Sequence, residues 1–243
     1  MIDRIVNAHG EQLDFAFHPG AAGARRVVVI GHGLTGHKDR PFLLALAEGL
    51  AGAGIPVLRV SWSGNGGSEG RFVDSNITKE VADLGAVIDA VTGAGYEVTY
   101  AGHSMGGAVG VLRASIDARI TRLISLAGMV HTRAFAEYHF GSLVPGRDLM
   151  WGKPGCLLTP AFLDDLRRID TLVDRGGKIS VPWLLVHGNA DVVVPLGHSR
   201  DIVARAAGPG QLVELNACDH IWEPGFAPRM VETVVNWCRG PGA

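Results

Sequence analysis

Short strand-like stretches alternate with segments of helical period along most of the 243-residue chain, and that alternation limits the folds open to it. Val27 to Ile30, inside "RRVVVIGHGL", has no polar face, the mark of a strand buried on both sides. Residues 41–52 (PFLLALAEGLAG) then read as a helix, with Pro41 in its first turn and Gly54 past its end. "PVLRVSW" is another strand, and "NITKEVADLGAVIDAV" follows with Ile77, Val81, Leu84, Val87, Ile88 and Val91 at helical spacing. The rhythm continues with strands at EVTYAG, RLISLAG, VPWLLVHG and QLVELN, and with helices from Met105, near 197–207 and at about 226–239. Ahead of it, residues 2–7 and 12–17 read as two short strands joined by a turn at His9-Gly10. The pattern predicts an α/β fold with a mostly parallel central sheet, helices on both faces and ligands beyond the carboxyl ends of the strands.

The rhythm breaks once. Between Ala127 and Lys178 lie about fifty residues with Phe135, Tyr138, Phe140, Trp151 and Phe162 but no obvious buried strand. A segment of that length without a sheet strand is usually a functional insertion. The expected organisation is therefore a single domain over 1–243 with a lid or cap inserted at about 129–178. A composition of 47% hydrophobic and 19% charged residues has material for one large core, not two.

Bulk properties exclude several partner classes. The formal charge is −2 and Lys and Arg are evenly scattered, so no basic face is offered to nucleic acid. The N-terminal stretch carries acids early and lacks the apolar run of a signal peptide, and no apolar stretch approaches the roughly 20 residues that span a bilayer. Cys156, Cys218 and Cys238 are odd in number and widely spaced, which suits a reducing compartment. The expectation is a cytoplasmic protein with no membrane partner. With no Cys-x-x-Cys or His-Glu-x-x-His pattern, neither a metal nor an organic cofactor is expected. Oligomeric state leaves no trace in the sequence.

Chemistry is expected in the loops after the strands. "SWSGNGGSEGRF" is glycine-rich, but Glu69 occupies the third fingerprint position and the next helix begins only near residue 76. A pyrophosphate there would meet an acid rather than a helix N-terminus, so the segment reads as a tight surface loop. "YAGHSMGGAVG" is different. Gly102-His103-Ser104-Met105-Gly106 fits the strained strand-to-helix turn of a nucleophile elbow. In a chain with 34 glycines the five-letter pattern arises by chance often enough that it needs support.

That support comes from order. A hydroxyl nucleophile needs a base within hydrogen-bond reach, and the base needs an orienting acid. Asp191 follows a strand in "LLVHGNADVVVP", where alone it could equally be a turn-forming aspartate. His220 follows the last strand in "LVELNACDHIWEPG", where alone it could equally be a packing residue at a helix entrance. Ser104, Asp191 and His220 thus run Ser, Asp, His, each just past a different strand. "GHGLTGHKD" adds a glycine-rich turn after the first buried strand. An oxyanion needs two backbone N–H donors, and position assigns these to Leu34 and Met105, with Gly33 and Gly36 allowing close approach. His198 and Asp219 compete for the base and acid roles, whereas Cys218 reads as a small packing residue.

The segments HGLTG, GNGGSEG, GHSMGG, HGNADVVVP and ACDHIW resemble those of the α/β-hydrolase superfamily over nearly the whole chain. Within it, "HGLTGHKDRPF" and the insertion ending in "PGCLLTPAFLDDL" resemble the small feruloyl or cinnamoyl esterases and related carboxylesterases. The resemblance implies Ser104, Asp191 and His220 as a triad and Leu34 and Met105 as oxyanion donors. It also implies an insertion that contributes to the acyl pocket, where polar groups meet phenolic hydroxyls; Glu137, Tyr138, His139 and Asp148 are available for this. The expected activity is hydrolysis of small to medium acyl esters through an acyl-enzyme, extending to hydroxycinnamate esters. A peptidase, amidase or thioesterase would use the same triad, and a non-catalytic small-molecule receptor could share the scaffold.

Overall fold

The computed structural model describes residues 2–223 and 225–240. The apolar run at 27–30 forms the centre of β2 (Arg26–Gly31), buried from Val27 onward. Its neighbours are β3 (Val57–Val60) and β4 (Glu97–His103), both parallel to it. β5 (Ile120–Leu126), β6 (Trp183–Gly188) and β7 (Gly210–Leu215) extend the parallel sheet beyond β4. β1 (Phe15–His18) pairs antiparallel with β3, giving seven strands in the order β1-β3-β2-β4-β5-β6-β7.

The expected strand at 2–7 does not form. Val6 and Gln12 share only an isolated bridge. Asn7 is the physical reason: its Oδ1 accepts the N–H groups of His9 and Glu11, closing a turn. Its Nδ2 meanwhile donates to Asp83 Oδ1 at 2.7 Å, which holds that turn against a helix rather than beside a strand.

Helices cover both faces. On one side α2 (Ile77–Gly93) and α3 (Met105–Ala114) bury Leu84, Val87, Ile88, Val109 and Val111 in one apolar cluster. Asn76 caps α2 by accepting the Lys79 N–H. On the other side α1 (Pro41–Gly52) and α8 (Ala227–Arg239) bury Leu43, Leu46, Leu50, Met230 and Val234 in a second cluster. The residues past β5 form α4 (Thr132–Phe140), a 3-10 turn at Met150–Gly152, α5 (Pro160–Ile169) and the short α6 (Val173–Gly176) before β6 begins. Phe135, Phe140, Met150 and Phe162 from this stretch join the first cluster, so it packs on the body of the molecule.

The helix expected to reach 207 is α7 (Gly197–Val203), which stops earlier. Gly208 N–H donates to Ile179 and Pro209 accepts from Trp183, so the chain is already tied to the sheet before the helix could extend. Among the described residues no helix is long and apolar enough to cross a membrane.

Leu46, on the inner face of α1, is fully buried. Leu46→Ala should lower unfolding free energy by about 2–5 kcal/mol in chemical denaturation, whereas Val192→Ala at an exposed site should stay within about 0.5 kcal/mol.

Candidate active site

Ser104 sits where β4 turns into α3, with φ 54° and ψ −118°, a left-handed backbone that a serine adopts only under constraint. Three bonds supply the constraint. Ser104 N–H donates to Leu126 at 2.9 Å, and the Ser104 carbonyl accepts from Gly107 and Met129 at 2.9 Å each. The flanking glycines are needed for steric reasons: a Cβ on Gly102 would lie 2.1 Å from the Gly106 carbonyl oxygen. Gly33 closes on the same point from the neighbouring loop, where a Cβ would stand 2.8 Å from that of Ser104. Its lack of a side chain therefore lets the glycine-rich loop approach the elbow itself.

That loop is held by His32. Trp62 N–H donates to His32 Nε2 at 3.0 Å, which leaves Nδ1 to carry the proton donated to Gly33 at 2.8 Å. Burial pushes the pKa of His32 down to about 4, in keeping with a neutral ring. Gly36 N–H donates to Gly33, closing the turn, and Thr35 takes the left-handed φ of 57°. Leu34 lies within this turn and Met105 is the first residue of α3. Among the described residues, neither backbone N–H has a hydrogen-bond partner in the turns and loops around the elbow.

Asp191 and His220 meet at the ends of β6 and β7. His220 Nδ1 donates to Asp191 Oδ2 at 2.7 Å. Asp191 Oδ1 accepts the N–H groups of Val193 and Val194 at 2.8 Å each. A second imidazole, His187 at the end of β6, stands 3.3 Å from Asp191 Oδ2, with Ser199 Oγ 2.8 Å from its Nδ1. Burial alone would raise the pKa of Asp191. The bonds from His187 and His220 and the backbone of Val194 outweigh it and hold the carboxyl well below the usual aspartate range.

Ser104 and His220 open on one pocket of about 260 Å³, lined also by Gly33, Leu34, Thr35, Arg40, Phe42, Trp151, Val193 and Ile221. Among the described residues Ser104 and His220 border this pocket without a hydrogen bond between them. The neighbouring His103 links the two: its Nε2 donates to the His220 carbonyl at 3.0 Å. Burial, then the nearby His220 ring, keeps His103 well below the ordinary histidine pKa.

The competing residues are occupied elsewhere. His198 Nδ1 accepts from the Val130 N–H at 3.0 Å, and burial lowers its pKa to about 4. Asp219 Oδ1 accepts from Glu223 N–H at 3.2 Å, and Cys218 is buried, which raises its thiol pKa. None of Glu137, Tyr138, His139 and Asp148 lines the pocket. Tyr138 is 80% exposed, Asp148 pairs with Arg147, and His139 donates from Nε2 to the Val193 carbonyl at 2.8 Å. Trp151 is the residue of that stretch that reaches the pocket, from a left-handed φ of 50°. His187 and His103 escaped the sequence reading; the only local clue to His187 was its place four residues before Asp191.

This arrangement defines an α/β-hydrolase. Residues 22–146, just over half of the chain, match the family described as Serine aminopeptidase, S33, and the chain belongs to that family. Among solved structures it is similar to Est1E from Butyrivibrio proteoclasticus with ferulic acid bound, at 23% identity over 97% of both chains and a TM-score of 0.82. It is also similar to alpha/beta hydrolase domain-containing protein 10 from mouse, at 17% identity over 98% of both chains and a TM-score of 0.80. A monoacylglycerol lipase from Paleococcus ferrophilus matches at 21% identity over 93% of this chain and 97% of its own, with a TM-score of 0.72. No curated protein matches by sequence.

Because the Asp191 carboxyl is held ionised, its contribution to stability is complete above the ordinary aspartate pKa of about 3.9 and is lost as pH falls toward its depressed value. The stability difference between the wild type and Asp191→Asn should therefore shrink steadily below about pH 4. Denaturant titrations of both proteins across the acid range would measure it.

Proposed function

We propose that the chain is a serine hydrolase of carboxylic esters working through an acyl-enzyme. The carrying observation is the convergence of a left-handed Ser104 and the Asp191-bound His220 on one pocket, beside the backbone N–H groups of Leu34 and Met105. In this reading Ser104 Oγ attacks the ester carbonyl while His220 Nε2 takes its proton. Asp191 accepts from Nδ1, fixes the tautomer and stabilises the imidazolium. Leu34 and Met105 donate to the oxyanion, whose charge builds in the transition state and is full in the tetrahedral intermediate. The proton returns to the leaving alcohol, and water activated by the same histidine releases the acid.

An aminopeptidase, which the family description suggests, would have to hold a substrate ammonium group. The residues lining the pocket include no carboxylate, and Arg40 would repel that cation. Ester cleavage asks for no such partner. The pocket volume suits small to medium acyl groups, with Trp151 as an aromatic wall suited to a planar hydroxycinnamoyl group. Residues 129–178 then act as a lid over the site. The three cysteines are free and buried, which accords with a cytoplasmic setting.

Ser104→Ala should lower kcat/KM on a nitrophenyl ester by roughly three to six orders of magnitude with an unchanged melting temperature. Turnover retained within a factor of ten would overturn the assignment. A panel of nitrophenyl esters of rising chain length with methyl hydroxycinnamates separates the two acyl classes. Activity confined to short aliphatic esters would remove the hydroxycinnamate reading and leave the esterase.

A further inference from the structure

Two cations converge on one oxygen beside the nucleophile. Lys153, from the stretch between α4 and α5, donates from Nζ to the Thr35 carbonyl, and Arg40 Nη2 donates to the same oxygen at 3.4 Å. Among the described residues neither side chain forms an ion pair or a further side-chain hydrogen bond. The nearest candidate partner for Arg40 in sequence is Asp39, but its oxygens face Lys38 at 2.6 Å and Arg59 at 2.7 Å. Glu223 lines the adjoining groove with Arg40 without pairing to it.

This placement is electrostatically unfavourable. A single neutral carbonyl leaves most of the donors on a guanidinium and an ammonium unused, and the two like charges repel. The neighbouring imidazoles sense the same field: burial is the main cause that lowers His32 and His37, and the charges of Arg40 and Lys153 add to the lowering of both. Arg40 also lines the pocket that holds Ser104 and His220. Its side chain makes no capping bond to α1, so it has no evident task in holding that helix.

We propose that Arg40 and Lys153 form an anion site at the mouth of the pocket, and that the ester cleaved carries a second, ionised acid group. The inference rests on the esterase reading for its substrate and on geometry for its site. An incoming carboxylate would give the guanidinium fork a bidentate partner and relieve the repulsion between the two cations. It would also account for a pocket that excludes carboxylates from its own lining. Because Lys153 comes from the insertion and Arg40 from the loop before α1, substrate charge would join the two parts of the molecule across the site.

The test compares 4-nitrophenyl hemiglutarate, with charge on the acyl side, against uncharged 4-nitrophenyl pentanoate, and uses carboxymethyl butyrate to place the charge on the alcohol side. One charged ester should show kcat/KM roughly ten-fold or more above its neutral counterpart, a preference that shrinks as ionic strength rises. In Arg40→Gln and in Lys153→Met the charged-to-neutral ratio should fall toward one, while Lys153→Arg should keep it. A ratio near one in the wild type, or a ratio unmoved by both variants, overturns the anion site and leaves the esterase standing. If no ester is cleaved at all, the esterase reading fails, and titration calorimetry with glutarate and with inorganic phosphate still decides the site. Binding by the wild type that is lost in both charge-removing variants supports it and tells carboxylate from phosphate; no binding of either anion overturns it.

Discussion

The left-handed turn at Ser104 is the constraint on which the rest of the site depends. A residue with a Cβ at φ 54° is strained, and the strain persists because neighbours on every side determine it. β5 accepts its N–H, α3 and the segment after β5 donate to its carbonyl, and Gly102 and Gly33, having no side chains, leave room for the backbone to pass. Tyr100, fully buried on β4, adds a hydrogen bond from its hydroxyl to Gly106 at 2.9 Å, bracing the turn from below. The hydroxyl is thereby held at the end of the sheet, where the loops after β2, β6 and β7 also end.

Around that point the histidines divide the labour by burial and hydrogen bonding. His32, His103 and His187 have ring nitrogens committed to backbone or side-chain partners in the interior. His220 differs in having Nδ1 held by Asp191 while its ring borders the pocket. Asp191, with two backbone N–H donors and two imidazoles around its carboxylate, is the common anchor of the acid loop. His139 extends the anchoring outward, because the Val193 carbonyl it grips belongs to a residue whose N–H binds Asp191.

Most of the sheet was legible because strands buried on both faces write continuous β-branched runs, as Val27 to Ile30 do. The Ser, Asp, His order was legible because each residue follows a strand, β4, β6 or β7. What escaped depends on contacts distant in sequence. Asn7 bonds to Asp83 and so turns an apparent strand into a turn. The link from Lys153 to Thr35 spans 118 residues, and that from His139 to Val193 spans 54. Neither leaves a periodic or local signature. His139 therefore read as a candidate for substrate hydroxyls when its ring nitrogen was already engaged, and Trp151, one aromatic among several, gave no sign that it alone of the insertion would reach the pocket.

Ser104 is proposed here as a nucleophile activated by His220. Its most direct test is labelling with a fluorophosphonate, followed by peptide mass spectrometry to locate the adduct. Under this assignment a single adduct on Ser104 is expected, formed far more slowly in His220→Ala although the serine is intact. An adduct on another residue, or labelling of Ser104 at an undiminished rate without His220, would contradict it.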